Sequence, residues 1–289
     1  MRTISGHIYS HIGDSGEIVR TTCDEVRAAQ GRTVGTFEDL VECVAELSFK
    51  NPSHVLLYRG QHTGYTNDSG STTLYPRIFR SRVNRLMAKD MQRRFSILDY
   101  AEDVLADQYI YEGERSVRVD QILRWALLQH YEVCDTPFLD LTQSLRVAAS
   151  FATNDNQGPA VIYALGVPQL GSSVSVASSE GLQSVRLNSI CPPRALRPYY
   201  QQGYLVGEYP TMSLKGKKEY ERREVDMARR LIGKYIIRDS KRFWNSVHLA
   251  YSEKALLPNA RDEMYKFMQD IHNLVKDVFP EGGDNLSAS

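Results

Sequence analysis

The run HVLLYRG, His54 to Gly60, is the feature that most restricts this chain. Its first part reads as a buried strand, because a short apolar run bounded by polar residues is suited to an element covered on both faces. It then closes on Arg59 and Gly60, a long cation followed by a residue with no side chain. A guanidinium is costly to hide unless an anion meets it. The fold must therefore bring Arg59 either a carboxylate from elsewhere in the chain or the anionic group of a ligand.

The flanking segments mix helical and strand periods. FEDLVECVAELSF (Phe37 to Phe49) carries apolar residues at helical spacing, with Thr36 as its cap. Residues 61–73, rich in Gly, Ser, Thr and Asn, read as a surface loop. Helical spacing returns from Ser81 to about Asp107, with Arg82, Arg85, Lys89, Arg93 and Arg94 on the exposed side. It returns again in SVRVDQILRWALLQHY, whose apolar stripe includes His130. In EVCDTPFLDLTQSLRVAASFA, Asp140 or Thr142 is placed to cap a helix burying Leu145, Ala148 and Ala149. GPAVIYAL, SVSVA and ARRLIGKYIIRDS read as strands, and QQGYLVGEYP as a strand or hairpin edge. Helices over Lys241 to Tyr251 and Ala260 to Val278 follow, and EGGDNLSAS reads as a disordered tail. With no repeat and no linker, this order predicts one α+β domain over 36–279, after a leader over 1–35 and before a tail over 280–289.

Composition acts by exclusion. A chain of 289 residues, 42% of them hydrophobic, can build a sizeable core. Its 35 basic and 35 acidic side chains cancel, so no global field draws in nucleic acid or an anionic membrane. The four cysteines are widely spaced, with no C-x-x-C pair and no clustered histidines, so reduced thiols and no metal site are expected. No apolar signal core or membrane-length segment is read, and the expected location is cytoplasmic.

Three blocks carry more specific information: Y-R-G at Tyr58 to Gly60, Q-H-Y followed by T-P-x-L-D-x-T within Gln129 to Thr142, and Q-Q-G-Y at Gln201 to Tyr204. In this order they resemble the FRG-domain family, named for an aromatic residue followed by Arg-Gly, over roughly Asn51 to Asp270. Phe138 and Leu141 stand where many members carry Leu and Trp, and the EVCD turn is one residue longer than usual, which bears on pocket shape. The family pattern is similar in turn to that of ADP-ribosyltransferases, an analogy at the level of fold. It implies a small, mostly antiparallel split sheet wrapped by helices. It also implies NAD as substrate and a macromolecular target, protein or nucleic acid, as for a microbial toxin or anti-phage defence effector. The competing reading is a non-catalytic module that binds a nucleotide or a partner. A hydrolase ranks below both, since no nucleophile motif such as G-x-S-x-G is present.

Under the resemblance, Arg59 holds the NAD pyrophosphate bidentately and Gly60 lets backbone approach the ligand. The bland alternative pairs Arg59 with Asp140. Asp140 and Thr142 hold the ribose, or Asp140 steadies the oxocarbenium-like charge as the glycosidic bond breaks; both residues are also ordinary helix caps. Gln129 reaches a ligand amide, and Tyr131 either stacks on nicotinamide or fills core. His130 is either a satisfied core histidine or a general base. Gln202, directly before Gly203, is assigned the late-strand polar role, with Glu208 as a nearby substitute. Tyr75 and Arg77 wall the pocket unless Pro76 simply turns a strand edge. The predicted catalytic set is Arg59, Asp140 and Gln202. The NAD-binding set is Arg59, Gly60, Tyr75, Gln129, His130, Tyr131 and Thr142.

Overall fold

In the computed structural model, which describes residues 1–14, 16–80, 88–154, 158–168, 171–210 and 225–280, the chain opens with an antiparallel hairpin, β1 (Ile8–His11) and β2 (Ile18–Thr21). Next come α1 (Cys23–Ala28), β3 (Arg32–Val34), α2 (Phe37–Lys50) and β4 (Val55–Gln61). Reciprocal capping boxes start both helices: Thr22 with Glu25, and Thr36 with Asp39. The middle of the chain supplies α3 (Ala88–Gln108), α4 (Glu114–Val119), α5 (Gln121–His130), β5 (Phe138–Thr142), α6 (Leu145–Thr153) and β6 (Ala160–Val167). β7 (Val174–Ala177), β8 (Leu182–Arg186), α7 (Leu187–Ile190), α8 (Leu196–Tyr200) and β9 (Gly203–Glu208) follow. β10 (Leu231–Ile237), α9 (Ser240–Phe243), α10 (Glu253–Leu256) and α11 (Glu263–Val278) complete the described elements.

The main sheet has eight strands in the order β3-β10-β6-β4-β5-β9-β8-β7. The protein is α+β as expected, and its sheet is mixed, with six antiparallel pairings and one parallel, but it is larger than the small one predicted. β3, drawn from the first 35 residues, runs parallel to β10, and β8 had no clear signature in the sequence. The segment read as a strand edge, β9, lies between β5 and β8 in the interior of the sheet. All eight residues of β6 are buried, which is why its run AVIYALGV is apolar without alternation.

Helix boundaries moved where side chains compete for backbone amides. Asp120 ends α4 and caps α5, its Oδ1 accepting from Ile122 N at 2.9 Å, so the single predicted helix is broken in two. Ser144 caps α6 by accepting from Val147 N at 3.3 Å. Neither Asp140 nor Thr142 does so, because both belong to β5. Of the helix expected over Lys241 to Tyr251, only Ser240–Phe243 forms; Asn245 Oδ1 then takes the amides of Val247 and His248. Arg82, Arg85 and the tail beyond Pro280 lie outside the described residues.

Two hydrophobic cores flank the sheet. One joins α2 to β4, β6 and β10 through Leu40, Leu47, Leu57, Ile162 and Ile232. The other joins α3, α5 and α11 to β8 and β9 through Leu98, Leu127, Ile271, Val185 and Leu205. The sheet is weakest near the passage between them. β4 pairs with β6 along all its residues, from Val55↔Val167 to Gln61↔Val161, and β5 pairs with β9 along its length. β4 and β5 share a single registered pair, Tyr58↔Thr142.

Candidate functional site

Beyond the Tyr58↔Thr142 pair the two strands part, and Arg59 and Asp140 stand at the opening. In a continued antiparallel ladder the main-chain oxygen of Asp140 would accept from a β4 amide. Here it accepts from Arg59 Nη1 at 2.7 Å, so a side chain fills the place of a ladder bond. A cavity of about 410 Å³ opens at this wedge, with Arg59, Gln61, Arg77, Arg80, His130 and Asp140 among its walls. Strand residues hold the site from the sheet side, and the end of α5 holds it from the helical side.

Six buried side-chain nitrogen or oxygen atoms lack a hydrogen-bond partner among the described residues: Arg59 Nε, Gln61 Oε1, His130 Nε2, Asp140 Oδ1, Arg197 Nε and Glu38 Oε2. All but the last belong to residues lining this one cavity. An unmatched buried polar atom costs about 1–3 kcal/mol, so such a gathering marks a place where a ligand or ordered water completes the bonding.

The charges are arranged around Asp140. Burial pushes its carboxyl up, but His130, the Arg59 guanidinium and the Gln129 amide together outweigh burial and hold it below the usual carboxylate range. Gln129 Nε2 donates to Asp140 Oδ2 at 2.7 Å, whereas His130 Nδ1 lies 4.0 Å from Oδ1, a charge-to-ring contact beyond hydrogen-bond reach. Arg59 is itself depressed by burial, with Asp140 opposing that shift. Arg80 is lowered to about 10 by burial and by the neighbouring Arg59 and Arg77. Arg77 is partly answered by Asp135, Nε to Oδ1 at 3.2 Å, and Arg80 Nε donates to the Tyr75 carbonyl at 2.9 Å. The guanidiniums of Arg59, Arg77 and Arg80 thus meet at the cavity with Asp135 and Asp140 among its walls, and their donor forks are suited to an anionic group.

Several predicted residues meet here and others do not. Arg59, Gly60, Gln129, His130, Asp140, Thr142 and Arg77 line the cavity. Gly60 has a packing reason of its own: a Cβ there would sit 1.8 Å from the main-chain oxygen of Ala148, so the backbone that approaches it is that of α6. Gln129 is fully engaged, since its Oε1 accepts from Thr136 Oγ1 while its Nε2 serves Asp140 and Phe138 O. Thr142 Oγ1 donates to Gln201 O at 2.7 Å and accepts from Ser144 N, which ties β5 to the turn before β9.

Tyr131 is a core residue and lies outside the cavity lining. Its hydroxyl donates to Asp262 Oδ2 at 2.7 Å, and the Arg197 guanidinium sits 5.2 Å from its ring centre. Tyr75 is likewise absent from the lining and packs on the helical core. Gln202 is exposed at φ 46°, at the turn that ends α8, and Gln201 takes its place at the cavity while donating to Leu256 O at 2.8 Å. Adjacency to Gly203 had pointed to Gln202, but a left-handed turn residue projects away from the strand that follows. Glu208 sits at the far end of β9, outside the lining.

Arg80, Gln61, Tyr65 and Glu132 also line the cavity and were not singled out in the sequence. Gln61 had a signal, since it lies two positions after Arg59 and shares its strand face. Among the described residues no group of three or more His, Cys, Asp or Glu is placed to hold a metal ion, and no helix is long and apolar enough to cross a membrane. Residues 54–160 match the family model of the FRG domain, a span that includes the Tyr58–Gly60 and Gln129–Thr142 blocks and ends before Gln201. No curated protein and no solved structure matches the chain.

Proposed function

We propose, from the premise that this chain carries an FRG domain over residues 54–160, that the cavity binds NAD and that the protein transfers its ADP-ribosyl group to a macromolecular acceptor. The observation that supports this reading most is the convergence of unpartnered Arg59, Gln61, His130 and Asp140 atoms on a cavity bordered by Arg77 and Arg80. A volume of about 410 Å³ is in the range of small-ligand pockets, ~300–1,000 Å³.

In this reading the guanidiniums of Arg59, Arg77 and Arg80 take the pyrophosphate. Asp140, held ionised by its neighbours, faces the ribose carbon from which nicotinamide departs. The bond between that carbon and the pyridinium nitrogen breaks, and its electron pair leaves with neutral nicotinamide. The acceptor's lone pair forms the new bond to the sugar carbon, and the acceptor gives up its proton to water. Asp140 Oδ1, which has no hydrogen-bond partner among the described residues, is placed to oppose the positive charge that develops on the ribose.

A second reading, a module that binds a nucleotide without turning it over, is favoured by one observation: Gln202, the expected late-strand group, faces solvent. Incubation with labelled NAD and cell lysate separates the two. Nicotinamide release with a labelled product, abolished by Arg59→Ala and by Asp140→Ala, is the expected result. Release that survives both substitutions removes the site from the chemistry. A rise in melting temperature with NAD but no release supports the module, and neither effect eliminates both readings.

A further inference from the structure

Glu132 adopts a backbone conformation that glycine would adopt more easily, and it is one of the residues that line the cavity. Its φ is 59°, in the left-handed region that side chains with a Cβ disfavour. The cause is the way α5 ends. Glu132 N–H donates to Gln129 O at 2.9 Å and Val133 N–H to Leu128 O at 2.8 Å, with Tyr131 as the cap, which is the paired bonding of a Schellman turn. That turn puts its left-handed residue where Glu132 stands, a position glycine fills without strain. Gln202, the other described non-glycine residue with positive φ, does not line the cavity.

The Glu132 carboxylate takes no hydrogen bond among the described residues and makes only a loose ion pair with Arg197. The side chain is 65% exposed, and its nearest cation, Arg197 Nη1, is 3.8 Å away, beyond hydrogen-bond reach. Arg197 Nη1 donates to His130 O at 2.9 Å and Nη2 to Asn259 Oδ1 at 2.8 Å, both neutral oxygens, while its Nε has no hydrogen-bond partner among the described residues. A third acidic residue therefore lines the cavity in addition to Asp135 and Asp140, on a turn whose geometry calls for no side chain at all.

We propose that Glu132 is a specificity-determining residue: its carboxylate faces the cationic nicotinamide end of the dinucleotide and makes the oxidised form the preferred ligand over the reduced form, whose ring is neutral. This rests on the reading of the cavity as an NAD site. Phosphates are repelled from Glu132 and drawn to Arg59, Arg77 and Arg80, so the same charge also sets which way round the ligand enters. A unit charge about 10 Å from another, at an effective dielectric of about 20, changes a binding constant roughly tenfold.

The test is calorimetric titration of the full chain with oxidised and with reduced NAD, in the wild type, Glu132→Gly and Glu132→Gln, with the melting temperature of each. The expected result is a preference for the oxidised form that falls about tenfold in both variants. Glu132→Gly is also expected to melt about 2–4 °C higher as its turn relaxes, while Glu132→Gln keeps the wild-type melting temperature. A preference unchanged in both variants, with NAD still bound, overturns the inference and leaves the NAD reading standing. A fall in the melting temperature of Glu132→Gly overturns it as well, because the carboxylate would then serve the fold. Binding of neither form by the wild type overturns the inference and the NAD reading together.

Discussion

Replacing Gly60 by alanine tests whether this glycine serves the fold or the ligand. An added Cβ would lie 1.8 Å from the main-chain oxygen of Ala148, 2.8 Å from its carbonyl carbon and 2.9 Å from Ala152 Cβ. An ordinary contact between such a carbon and a carbonyl oxygen is about 3.3 Å, so α6 must retreat from β4 by roughly 1.5 Å. The obstacle is backbone, and no rotamer change relieves it. α6 is fixed at its start by Ser144 and lies against β6 as well as β4, so it cannot move freely. Overpacking commonly costs about 1–3 kcal/mol, and a clash with helix backbone belongs at or above the upper end, about 3 kcal/mol. For a chain of this size that is a fall of roughly 6–12 °C in melting temperature. Urea unfolding should show a lower midpoint with an unchanged slope. Adding Ala152→Gly removes the 2.9 Å contact and leaves the carbonyl in place, so the double variant should recover little of the loss. A loss below about 1 kcal/mol would refute the packing argument. Weakened NAD binding without any loss of stability would return Gly60 to the ligand-approach role expected from the sequence.

Other substitutions separate core from cavity. Tyr131→Phe removes the hydroxyl bond to Asp262, which also caps α11, and should lower stability by about 1–3 kcal/mol in urea unfolding while leaving NAD affinity unchanged; a selective loss of affinity would put Tyr131 back in the site. Gln202→Gly relieves a left-handed side chain and should raise stability by about 1 kcal/mol with no change in NAD turnover; a loss of turnover would restore its predicted catalytic role. Asp140 lies below its reference value of 3.8 when folded, so its contribution to stability is present above about pH 4 and is lost as the pH falls through the lowered folded value. Melting curves taken from pH 6 downward should therefore be flatter for Asp140→Asn than for the wild type, and curves of equal slope would show that Asp140 carries no such linkage.

What could be read from the sequence, and what could not, follows from the range of each interaction. Arg59 announced itself because a cation at the end of an apolar run is a local contradiction, and Asp140 because it sits in a dense block of polar and apolar residues. Both posed alternatives, charge pair or ligand contact, that depend on the sheet coming apart just after Tyr58↔Thr142, and strand divergence leaves no mark on either strand alone. In the structure Arg59 bonds to the main chain of Asp140 through Nη1, while its Nε and Asp140 Oδ1 have no hydrogen-bond partner among the described residues. Tyr131, for which cavity and core were both open, and Gln202 fall outside the cavity lining for a shared reason, since each lies at the end of a helix, where one residue of turn decides between core, cavity and solvent. The same ambiguity hid Glu132, whose identity looks ordinary until its φ is known. Residues whose role rests on burial were legible from pattern, whereas those aimed by a turn were legible only once the turn had formed. That is why the guanidinium side of the cavity was half visible in advance, through Arg59 and Arg77, while the carboxylate proposed to choose its ligand was not.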